Sequence, residues 1–509
     1  MAREHVARSF WTDEPGDASR PPLQSDTRAD VCVVGAGIAG LSTAYTLACA
    51  GRTVIVLDDG PIGGGMTART TAHLASAVDD RYVQIERTHG AAGARAVAAS
   101  HAAAIARIEE VVASERIDCD FESLDGYLFV PAGTDAAIID EELAAARRAG
   151  LAAVERVPLP PLPGTPTGPA VRFPGQAQFH PLKYLAGLAQ AVERRGGRIH
   201  TGTHVTAVDD GPTVQLTAAN ASVVTASSAV IATNTPINDR VAIHTKQAPY
   251  ATYVIAARVP SAAIARALYW DTEDPYHYVR LARTADANGE VLIVGGEDHR
   301  SAQAGDGRER FARLERWARE RFPMMEAVDY RWSGQVMEPV DGVAFIGRNP
   351  GSDNVYVATG DSGMGLTHGT IAGLLIPDLI LGRASPWAAL YDPARHMLRT
   401  PMAYAKDNLN VAAQYLKGYS GGGDVGSTDE IAPGQGAVLR RKLGKIAAYR
   451  DARGTLHEFS AVCPHLKCVV RWNEVETTWD CPCHGSRFDS LGRVIVGPAN
   501  ADLERIAPI

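Results

Sequence analysis

Two short segments near the C-terminus concentrate side chains that bind metals well. Four of the seven cysteines and two of the histidines lie in "CPHLKC" and "CPCHGS". The spacing pairs Cys463 with His465 and Cys481 with His484, so each segment offers one sulfur and one nitrogen. Such a set fits an iron–sulfur cluster in which two cysteines bind one iron and two histidines bind the other. Zinc is the competing interpretation, because C-x-x-C and C-x-H arrangements also suit that metal.

A second informative set lies near the N-terminus. In "VVGAGIAG" the glycines Gly35, Gly37 and Gly40 follow a strand-like run and open an Ala/Leu-rich helix. This order predicts a tight turn, a close approach of the backbone to a pyrophosphate, and close packing of helix on strand. Asp58 ends the next strand-like run, where a carboxylate would bind ribose hydroxyls. We expect a βαβ unit that binds a dinucleotide, either FAD or NAD.

A late glycine-rich segment favours FAD. "ATGDSGMGLTHG" again follows a strand-like run and precedes a helix-like run, so the chain returns to the dinucleotide site far along the sequence. A flavin needs such a return because the protein must orient its ring as well as its adenine.

Length and composition limit the possible functions. A chain of 509 residues with a formal net charge of −8 should hold about three structural units. The acidic balance argues against nucleic acid or an anionic membrane as the main partner. No apolar run reaches the ~18 residues of a membrane span, and the first residues lack the apolar core of a signal peptide. We expect a cytoplasmic protein, where clustered cysteines are more often metal ligands than disulfides.

The rest of the sequence predicts the elements that position these residues. Residues from about 246 to 300 alternate apolar and polar side chains, which predicts an antiparallel sheet. "ERFARLERWARERFP" predicts a helix, and a polar helix at about 401–417 precedes a Gly-rich linker. Short strands and turns surround the cysteines. The expected fold class is α/β, a Rossmann-type domain with an antiparallel-sheet domain, followed by a small all-β domain.

Four segments resemble the glycine-oxidase/sarcosine-oxidase branch of the D-amino-acid oxidase superfamily of FAD enzymes. They are "DVCVVGAGIAGLSTAY", "GGGMTARTTAHL", "WSGQVMEPVDGVAFIGR" and "VYVATGDSGMGLTHGTIAGLLIPDLILG", and the similarity runs through about residues 25–398. The resemblance implies that Val205 meets the adenine through its backbone. It also implies that two further groups of residues lie along the FAD: Gly64, Gly65, Arg69, Thr70 and Thr71, and Gly360, Gly363, Met364, Gly365, Leu366 and Thr367.

His73 has a more specific counterpart. "TARTTAH" is similar to "TAGSTWH" of the dimethylglycine and sarcosine dehydrogenases, in which the histidine is bonded to the flavin methyl group. The resemblance places His73 beside the flavin ring. A covalent bond and an uncharged histidine packed against the ring both remain open.

The cysteine segments resemble the Rieske loops of the cytochrome bc and b6f complexes, and "GPANADL" resembles their third, Pro-containing loop. This resemblance favours a [2Fe–2S] cluster over zinc. It implies a disulfide between Cys468 and Cys483, and a serine, Ser486, whose hydroxyl donates to a cluster sulfide. Phe488 stands where the high-potential members of that family have a tyrosine. One hydrogen bond to a ligand sulfur is then missing, and we expect a lower reduction potential.

These resemblances divide the chain into parts. The expected arrangement is an N-terminal arm (1–29), an FAD-dependent oxidoreductase domain (30–398), a helix and flexible linker (399–430) and a Rieske domain (431–509). Within the oxidoreductase domain we expect the FAD-binding parts at about 30–90, 170–240 and 328–398, and the substrate-binding parts at about 91–169 and 241–327.

The whole chain resembles a bacterial family of FAD-dependent oxidoreductases with a C-terminal Rieske domain. The first hypothesis is an amine or amino-acid dehydrogenase that passes electrons from FAD through the cluster to an external acceptor. A second is an electron-transfer or redox-sensing protein without its own substrate. A third is a flavin monooxygenase fed through the cluster by a donor protein.

The candidate substrate residues lie in the antiparallel region. If "DPYHYVRL" is a strand, Tyr276, Tyr278 and Arg280 share one face and His277 lies on the other. The arginine could bind a substrate carboxylate through a bidentate pair. Tyr250 and Tyr253 are further candidates, although such residues more often belong to sheet surface and core.

Overall fold

The computed structural model describes residues 8–13, 18–162, 164, 166–238, 243–284, 289–397, 399–441 and 444–506. It contains two large sheets with helices packed on them, followed by two small antiparallel sheets. The expected fold class is confirmed. Within these ranges, no helix combines the length and the apolar character needed to cross a membrane.

The strands follow one another in this order: β1 Thr27–Val34, β2 Val54–Leu57, β3 His73–Leu74, β4 Glu122–Pro131, β5 Glu155–Val157, β6 Thr167–Gln178, β7 Arg198–His200, β8 Val205–Asp209, β9 Val214–Ala218, β10 Val223–Ile231, β11 Gln247–Pro260, β12 Leu268–Asp271, β13 His277–Arg283, β14 Gly289–Arg300, β15 Val328–Pro339, β16 Phe345–Arg348, β17 Val355–Thr359, β18 Gln435–Arg441, β19 Gly444–Arg450, β20 Leu456–Ser460, β21 Arg471–Asn473, β22 Thr478–Asp480, β23 Arg487–Asp489 and β24 Val494–Val496. The helices are α1 Ile38–Cys49, α2 Arg81–Glu115, α3 Ala137–Arg148, α4 Pro181–Arg194, α5 Gly307–Arg321, α6 Gly365–Ile380, α7 Ala388–Tyr391 and α8 Pro401–Ser420.

The first large sheet positions the dinucleotide motif. Its strands run in the order β16-β17-β10-β1-β2-β7, and β9 also pairs with β10 and in turn with β8. β1 pairs in parallel with both β2 and β10, so the turns that follow these strands meet at one edge of the sheet. All four residues of β2 are buried, as expected for a parallel sheet covered on both faces.

Helices α1 and α6 pack against each other over this sheet. A side chain at Gly369 would lie 2.6 Å from Ile38, and one at Gly373 would lie 2.4 Å from Ser42. The two glycines therefore allow the helices to approach closely, which brings the N-terminus of α6 beside that of α1.

The second large sheet lies over the end of the dinucleotide site at which the sequence predicts the flavin ring. Its strands run in the order β15-β11-β14-β13-β12-β4-β6-β3, and β5 pairs with β6. Most neighbours are antiparallel, as the alternating sequence predicts, although β4 and β12 are parallel. Strand β3, which carries His73, lies at one end beside β6.

The N-terminal segment packs against the main fold. Trp11 is 1% exposed, and its Nε1–H donates to the carbonyl oxygen of Thr70 at 2.6 Å. The guanidinium of Arg280 lies 5.3 Å from its ring centre. We call residues 27–397 the main domain and residues 435–506 the C-terminal domain.

The C-terminal domain consists of the sheets β18-β19-β20 and β21-β22-β23-β24. Its core contains Cys463, Cys468, Cys481 and Cys483 together with Trp479 and Phe488. Helix α8 precedes it and contacts both domains. Asp407 forms an ion pair with Arg300 of the main domain, and Gln414 accepts a hydrogen bond from Arg471 of the C-terminal domain.

Candidate functional site

A cavity of about 780 Å³ joins the predicted dinucleotide residues. It includes the turns after β1 and β2, residues of β11, β12, β13 and β15, and the turn before α6. Residues of the C-terminal domain between Arg493 and Asp502 also line it. Its volume is at the large end of the range for ligand sites.

The end of the cavity beside β1 and β2 has the geometry of an adenosine site. Gly35 has φ +108°, and a side chain there would lie 2.3 Å from the carbonyl oxygen of Ala232. The backbone N–H groups of Ala36 and Gly60 donate to the Asp58 carboxylate at 2.5 and 2.8 Å. Burial raises the pKa of Asp58 to about 6. The carboxylate is thus fixed where it would accept hydrogen bonds from ribose hydroxyls.

The middle of the cavity lies at the N-terminus of α1. Gly37 precedes the helix without a side-chain cap, and the N–H of Ile38 donates to Thr67 Oγ1 at 3.2 Å. A side chain at Gly40 would lie 1.8 Å from the carbonyl oxygen of Gly35, so this glycine allows the helix to pack on the turn. Helix N-termini of this kind bind phosphate groups. Sequence reasoning missed Thr67, although it lies inside the quoted segment "GGGMTARTTAHL".

The far end of the cavity has the features expected around a flavin ring. His73 Nδ1 lies 3.1 Å from Thr71 Oγ1, while its buried Nε2 has no hydrogen-bond partner among the described residues. Burial lowers the pKa of His73 to about 3, and the charge of Arg280 adds to this effect. The imidazole is therefore neutral, with one nitrogen available to a ligand in the cavity.

Most of the predicted cofactor residues line this cavity. They are Gly35, Gly37, Asp58, Gly64, Gly65, Arg69, Thr70, Thr71, His73, Val205, Gly363, Met364, Gly365 and Leu366. Gly40, Gly360 and Thr367 lie behind its wall. Thr367 is fully buried, and Gly360 adopts φ +73° against Pro339.

Beyond the end of the cavity that fits the flavin ring lies a group of residues that we call the roof: Asp79, Trp270, Tyr276, Tyr278 and Asp298. Tyr276 and Tyr278 line it, and the Tyr276 hydroxyl donates to Asp79 Oδ2 at 3.1 Å. Asp298 also lines the roof, and its Oδ1 is buried without a hydrogen-bond partner among the described residues. Burial raises the pKa of Asp79 to about 7 and that of Asp298 to about 6. Trp270 completes the roof.

The remaining candidate substrate residues do not line the cavity. Arg280 Nη1 donates to the carbonyl oxygens of Thr71, Ala72 and Phe179 at 3.2, 2.7 and 3.3 Å. These bonds hold the segment that carries His73, and they direct the guanidinium away from a substrate carboxylate. Tyr250 lies under the guanidinium of Arg300, with its ring centre 5.4 Å away.

Tyr253 is a core residue. Its ring packs against His299 and Phe311, with ring centres 5.7 and 4.9 Å away. His277 faces away from the cavity, as the predicted strand alternation requires, and stacks on Trp317 with ring centres 4.2 Å apart.

The predicted metal ligands converge in the C-terminal domain. Cys463 and Cys481 are 0% and 1% exposed, and the ring centres of His465 and His484 lie 5.1 Å apart. Burial lowers the pKa of His484 to about 3, and the neighbouring imidazoles of His465 and His244 add to this effect. A neutral imidazole is the form that binds metals. The four side chains thus offer two adjacent sulfurs and two adjacent nitrogens.

A disulfide joins Cys468 and Cys483, as the resemblance implies. It connects the two ligand-bearing segments, and its sulfurs lie within 4.8 Å of Cys481 Sγ. Ser486 is fully buried beside the ligands, and its hydroxyl accepts a hydrogen bond from the N–H of Ala499 at 2.9 Å. That acceptor role leaves the hydroxyl proton available for a cluster sulfide.

We predict that Phe488→Tyr raises the reduction potential of the cluster. Phe488 is fully buried in the core that contains Cys463 and Cys481, so a hydroxyl there would be desolvated and close to the ligand sulfurs. Donors to sulfur stabilise the reduced cluster. A redox titration followed by EPR should show an increase of several tens of millivolts. Phe488→Leu is the matched control, and an unchanged or lower potential in the tyrosine variant would contradict the prediction.

The C-terminal domain is joined to the cofactor cavity by a buried ion pair. The Glu476 carboxylate accepts hydrogen bonds from Arg69 Nη1 at 2.6 Å and from the N–H and hydroxyl of Ser333 at 2.9 and 2.7 Å. Arg69 itself lines the cavity. Sequence reasoning placed Arg69 along the FAD and gave no sign of its partner, which lies 407 residues later.

The residues present fit both groups that the resemblances imply. A long cavity with a carboxylate at one end, a helix N-terminus in its middle and an unpartnered imidazole nitrogen at the other matches the parts of FAD. The two buried cysteines and two neutral histidines match a [2Fe–2S] cluster with mixed ligands.

Comparison with known proteins agrees with this assignment. Residues 30–379 match the family of FAD dependent oxidoreductases, and residues 423–507 match the Rieske [2Fe-2S] domain. The chain is 31% identical to the Rieske 2Fe-2S iron-sulfur protein YhfW of Bacillus subtilis, over 99% of both chains. It is 30% identical to gamma-glutamylputrescine oxidoreductase of Escherichia coli, over 78% of this chain and 96% of that protein.

Among solved structures, glycine oxidase from Geobacillus kaustophilus has a similar fold. The TM-score is 0.60 at 18% identity, and the match covers 72% of this chain and 99% of that one. The main domain binds FAD and the C-terminal domain binds a [2Fe–2S] cluster. The chain therefore belongs to the DAO family of FAD-dependent oxidoreductases and carries a Rieske domain at its C-terminal end.

Proposed function

We propose that this enzyme oxidises a C–N bond of an amine or amino acid and that the electrons leave through the cluster to an external one-electron acceptor. The observation that carries the proposal is the cavity itself. Its ring end continues under a roof of carboxyl and phenol groups, while the domain that binds the cluster closes one part of its wall.

The roof supports an amine as the reacting group. Asp79, Asp298, Tyr276 and Tyr278 are partly buried acceptors of hydrogen bonds that line the cavity, and Trp270 and the tyrosines offer aromatic faces to a cation. The name of gamma-glutamylputrescine oxidoreductase indicates that this relative oxidises a compound that contains an amine. A substrate ammonium would supply the positive charge that the buried carboxyl groups of the roof need.

The electrons balance with the two groups that the chain holds. Bound FAD would supply a two-electron acceptor for the bond between the nitrogen and its neighbouring carbon, and the cluster would supply a one-electron outlet, so each substrate molecule would require two one-electron acceptors. Within the roof, Tyr276 would orient the Asp79 carboxylate through its hydrogen bond, and that carboxylate would receive the proton of the amine. Water then hydrolyses the imine product.

The direct test is an anaerobic screen of amines, amino acids and N-methyl compounds against the purified enzyme. A substrate should bleach the flavin absorption first and the cluster absorption second, and should support steady reduction of an artificial one-electron acceptor. Bleaching by none of the compounds would favour an electron-transfer protein without its own substrate. Cluster reduction before flavin reduction, with an external donor, would favour a monooxygenase.

The roof carboxyls also predict how cation binding depends on pH. The pKa values of about 7 for Asp79 and about 6 for Asp298 mean that both groups are ionised at pH 8 and largely neutral at pH 5. Attraction to a cation is therefore present at high pH and lost as the pH falls through these values. Tetramethylammonium, whose charge does not titrate, should bind roughly tenfold or more weakly at pH 5 than at pH 8.

The measurement is the perturbation of the flavin spectrum on titration with tetramethylammonium. Asp79→Asn should weaken binding at pH 8 by roughly 10–100-fold, as expected for a hydrogen bond or contact with a charged group. Asp209→Asn, at an exposed position, is the control. Binding of the cation that is independent of pH in the unmodified enzyme would show that the roof carboxyls do not recognise positive charge.

A further inference from the structure

The C-terminal domain contacts the main domain through His465 and His484, the two histidines of the predicted metal site. His244 of the main domain is 2% exposed, and its ring centre lies 5.0 Å from that of His465 and 6.0 Å from that of His484. The imidazole edge of the cluster site is thus covered by a side chain of the domain that binds FAD. His484 itself is only 7% exposed.

Gln335 makes a second contact beside the first. Its side chain lines the FAD cavity, and its Nε2–H donates to the carbonyl oxygen of Gly485 at 2.8 Å. Gly485 directly follows the ligand His484. A single glutamine therefore joins the wall of the FAD cavity to the segment that holds the cluster.

The shape of the contact depends on the glycine. Gly485 has φ +82°, and a side chain there would lie 2.5 Å from Gln335 Nε2 and 2.6 Å from Cβ of Pro249. The backbone beside the ligand can approach the main domain this closely only without a side chain. This close approach leaves no space for water between the two surfaces at this point.

A neighbouring glutamine provides a useful comparison. Gln303 Nε2 donates to the carbonyl oxygen of Pro482 at 3.1 Å, so it also bonds the second ligand segment. Unlike Gln335, it is not among the residues that line the FAD cavity. Substitutions of these two glutamines can therefore distinguish an effect of domain docking in general from an effect of the contact with the FAD cavity.

Building on the proposed function, we propose that His244 and Gln335 are positioning residues that hold the imidazole edge of the cluster against the wall of the FAD cavity. Electrons then cross between the two groups inside one chain, in two successive one-electron transfers for each substrate oxidised. The external acceptor, a one-electron redox protein or compound, must approach a face of the C-terminal domain other than the imidazole edge.

The test uses the complete holoenzyme and needs no substrate. Under anaerobic conditions, a light pulse with EDTA as the electron donor reduces the flavin, and freeze-quenched samples are examined by EPR for the reduced cluster. His244→Ala and Gln335→Met should each slow the appearance of the cluster signal by about tenfold or more, because small displacements of reacting groups are costly. Gln303→Met should leave the rate within about twofold of the unmodified enzyme.

Iron content, flavin content and the EPR spectrum after full chemical reduction show whether each variant retains both groups. His244→Phe, which keeps a ring of similar size, should recover most of the rate lost in His244→Ala. If His244→Ala loses its iron, the comparison of Gln335→Met with Gln303→Met decides the question. Equal rates in those two variants, whether fast or slow, would overturn the proposal.

Because light replaces the substrate, this result is independent of the amine hypothesis. Fast transfer that depends on Gln335, in an enzyme that oxidises none of the amines tested, would support the contact and remove the proposed substrate class. If the enzyme oxidises an amine but the rate of electron transfer is unchanged in Gln335→Met, the proposed substrate class is supported and the proposed contact is removed.

Discussion

Cys481→Ser should yield a protein that contains FAD and almost no iron. Cys481 is 1% exposed and is one of the two cysteines that we expect to bind the cluster. The cavity that binds FAD is formed mainly by the main domain, so flavin should remain at about one per chain. Iron and acid-labile sulfide should fall from close to two per chain to near zero, with loss of the EPR signal of the reduced cluster.

Cys49→Ser is the control for this experiment, because Cys49 is an exposed free thiol of the main domain. It should retain the full iron content. Iron that persists in Cys481→Ser would show that this residue is not a ligand. Stoichiometric zinc in the unmodified protein, made with adequate iron, would argue against the cluster itself.

Glu476→Ala should strongly destabilise the enzyme. The Glu476 side chain is 2% exposed and is the acidic partner of Arg69, with Arg487 at 3.9 Å. Its removal leaves Arg69, which is 27% exposed, and the N–H and hydroxyl of Ser333 without their acceptor, while Arg487 keeps Asp480 at 3.1 Å. We therefore expect a cost near the lower end of the about 3–5 kcal/mol that loss of one partner of a buried ion pair produces. Urea unfolding followed by the cluster absorption should show this loss.

Glu474→Ala is the matched control two residues away. The Glu474 side chain is 39% exposed and pairs with Arg308, so its loss should cost less than about 1 kcal/mol. A similar midpoint of unfolding for the two variants would contradict the importance assigned to the buried pair.

The same pair makes stability depend on pH in a defined direction. Burial raises the pKa of Glu476, but the charges of Arg69 and Arg487 outweigh burial and the net shift is downward. A carboxyl group with a lowered pKa contributes stability above its unfolded pKa and loses it as the pH falls through the folded pKa. The Glu476→Ala variant should therefore lose less stability on acidification than the unmodified enzyme.

Sequence reasoning succeeded where a function fixes local spacing. The glycines of "VVGAGIAG" must follow a strand and begin a helix, and each of Gly35 and Gly40 has the close backbone contact that its place in the motif predicts. The order of the cysteines and histidines in the C-terminal segments indicates a metal site, and the resemblance of the residues around them favours an iron–sulfur cluster.

Only Tyr276 and Tyr278 of the roof were predicted from the sequence. Asp79 and Asp298 come from distant segments and belong to no motif, and only the fold brings them into one cavity. Arg280 shows the opposite error. An arginine near tyrosines on one strand suggested carboxylate binding, but its partners are backbone carbonyls of a segment about 200 residues earlier in the chain.

The contacts between the two domains could not be predicted from the sequence either. His244 has no sequence signal, because its role depends on which surface the C-terminal domain presents to it. The glycine-rich stretch after α8 suggested only a flexible connection. Contacts of α8 and Glu476 with both domains could be found only from the assembled structure.

The position of Trp11 has a consequence for how the enzyme is made. The N-terminal segment is synthesised before its partners, which are encoded far downstream: Trp11 packs on Arg280, Arg8 pairs with the backbone of Arg331, and Asp13 accepts a hydrogen bond from Tyr330. It cannot complete these contacts until residue 331 has been synthesised. Contacts of such long sequence separation form late in folding. The wall behind Thr70 and His73 is therefore completed only after the segment that contains Tyr330 and Arg331 has been synthesised.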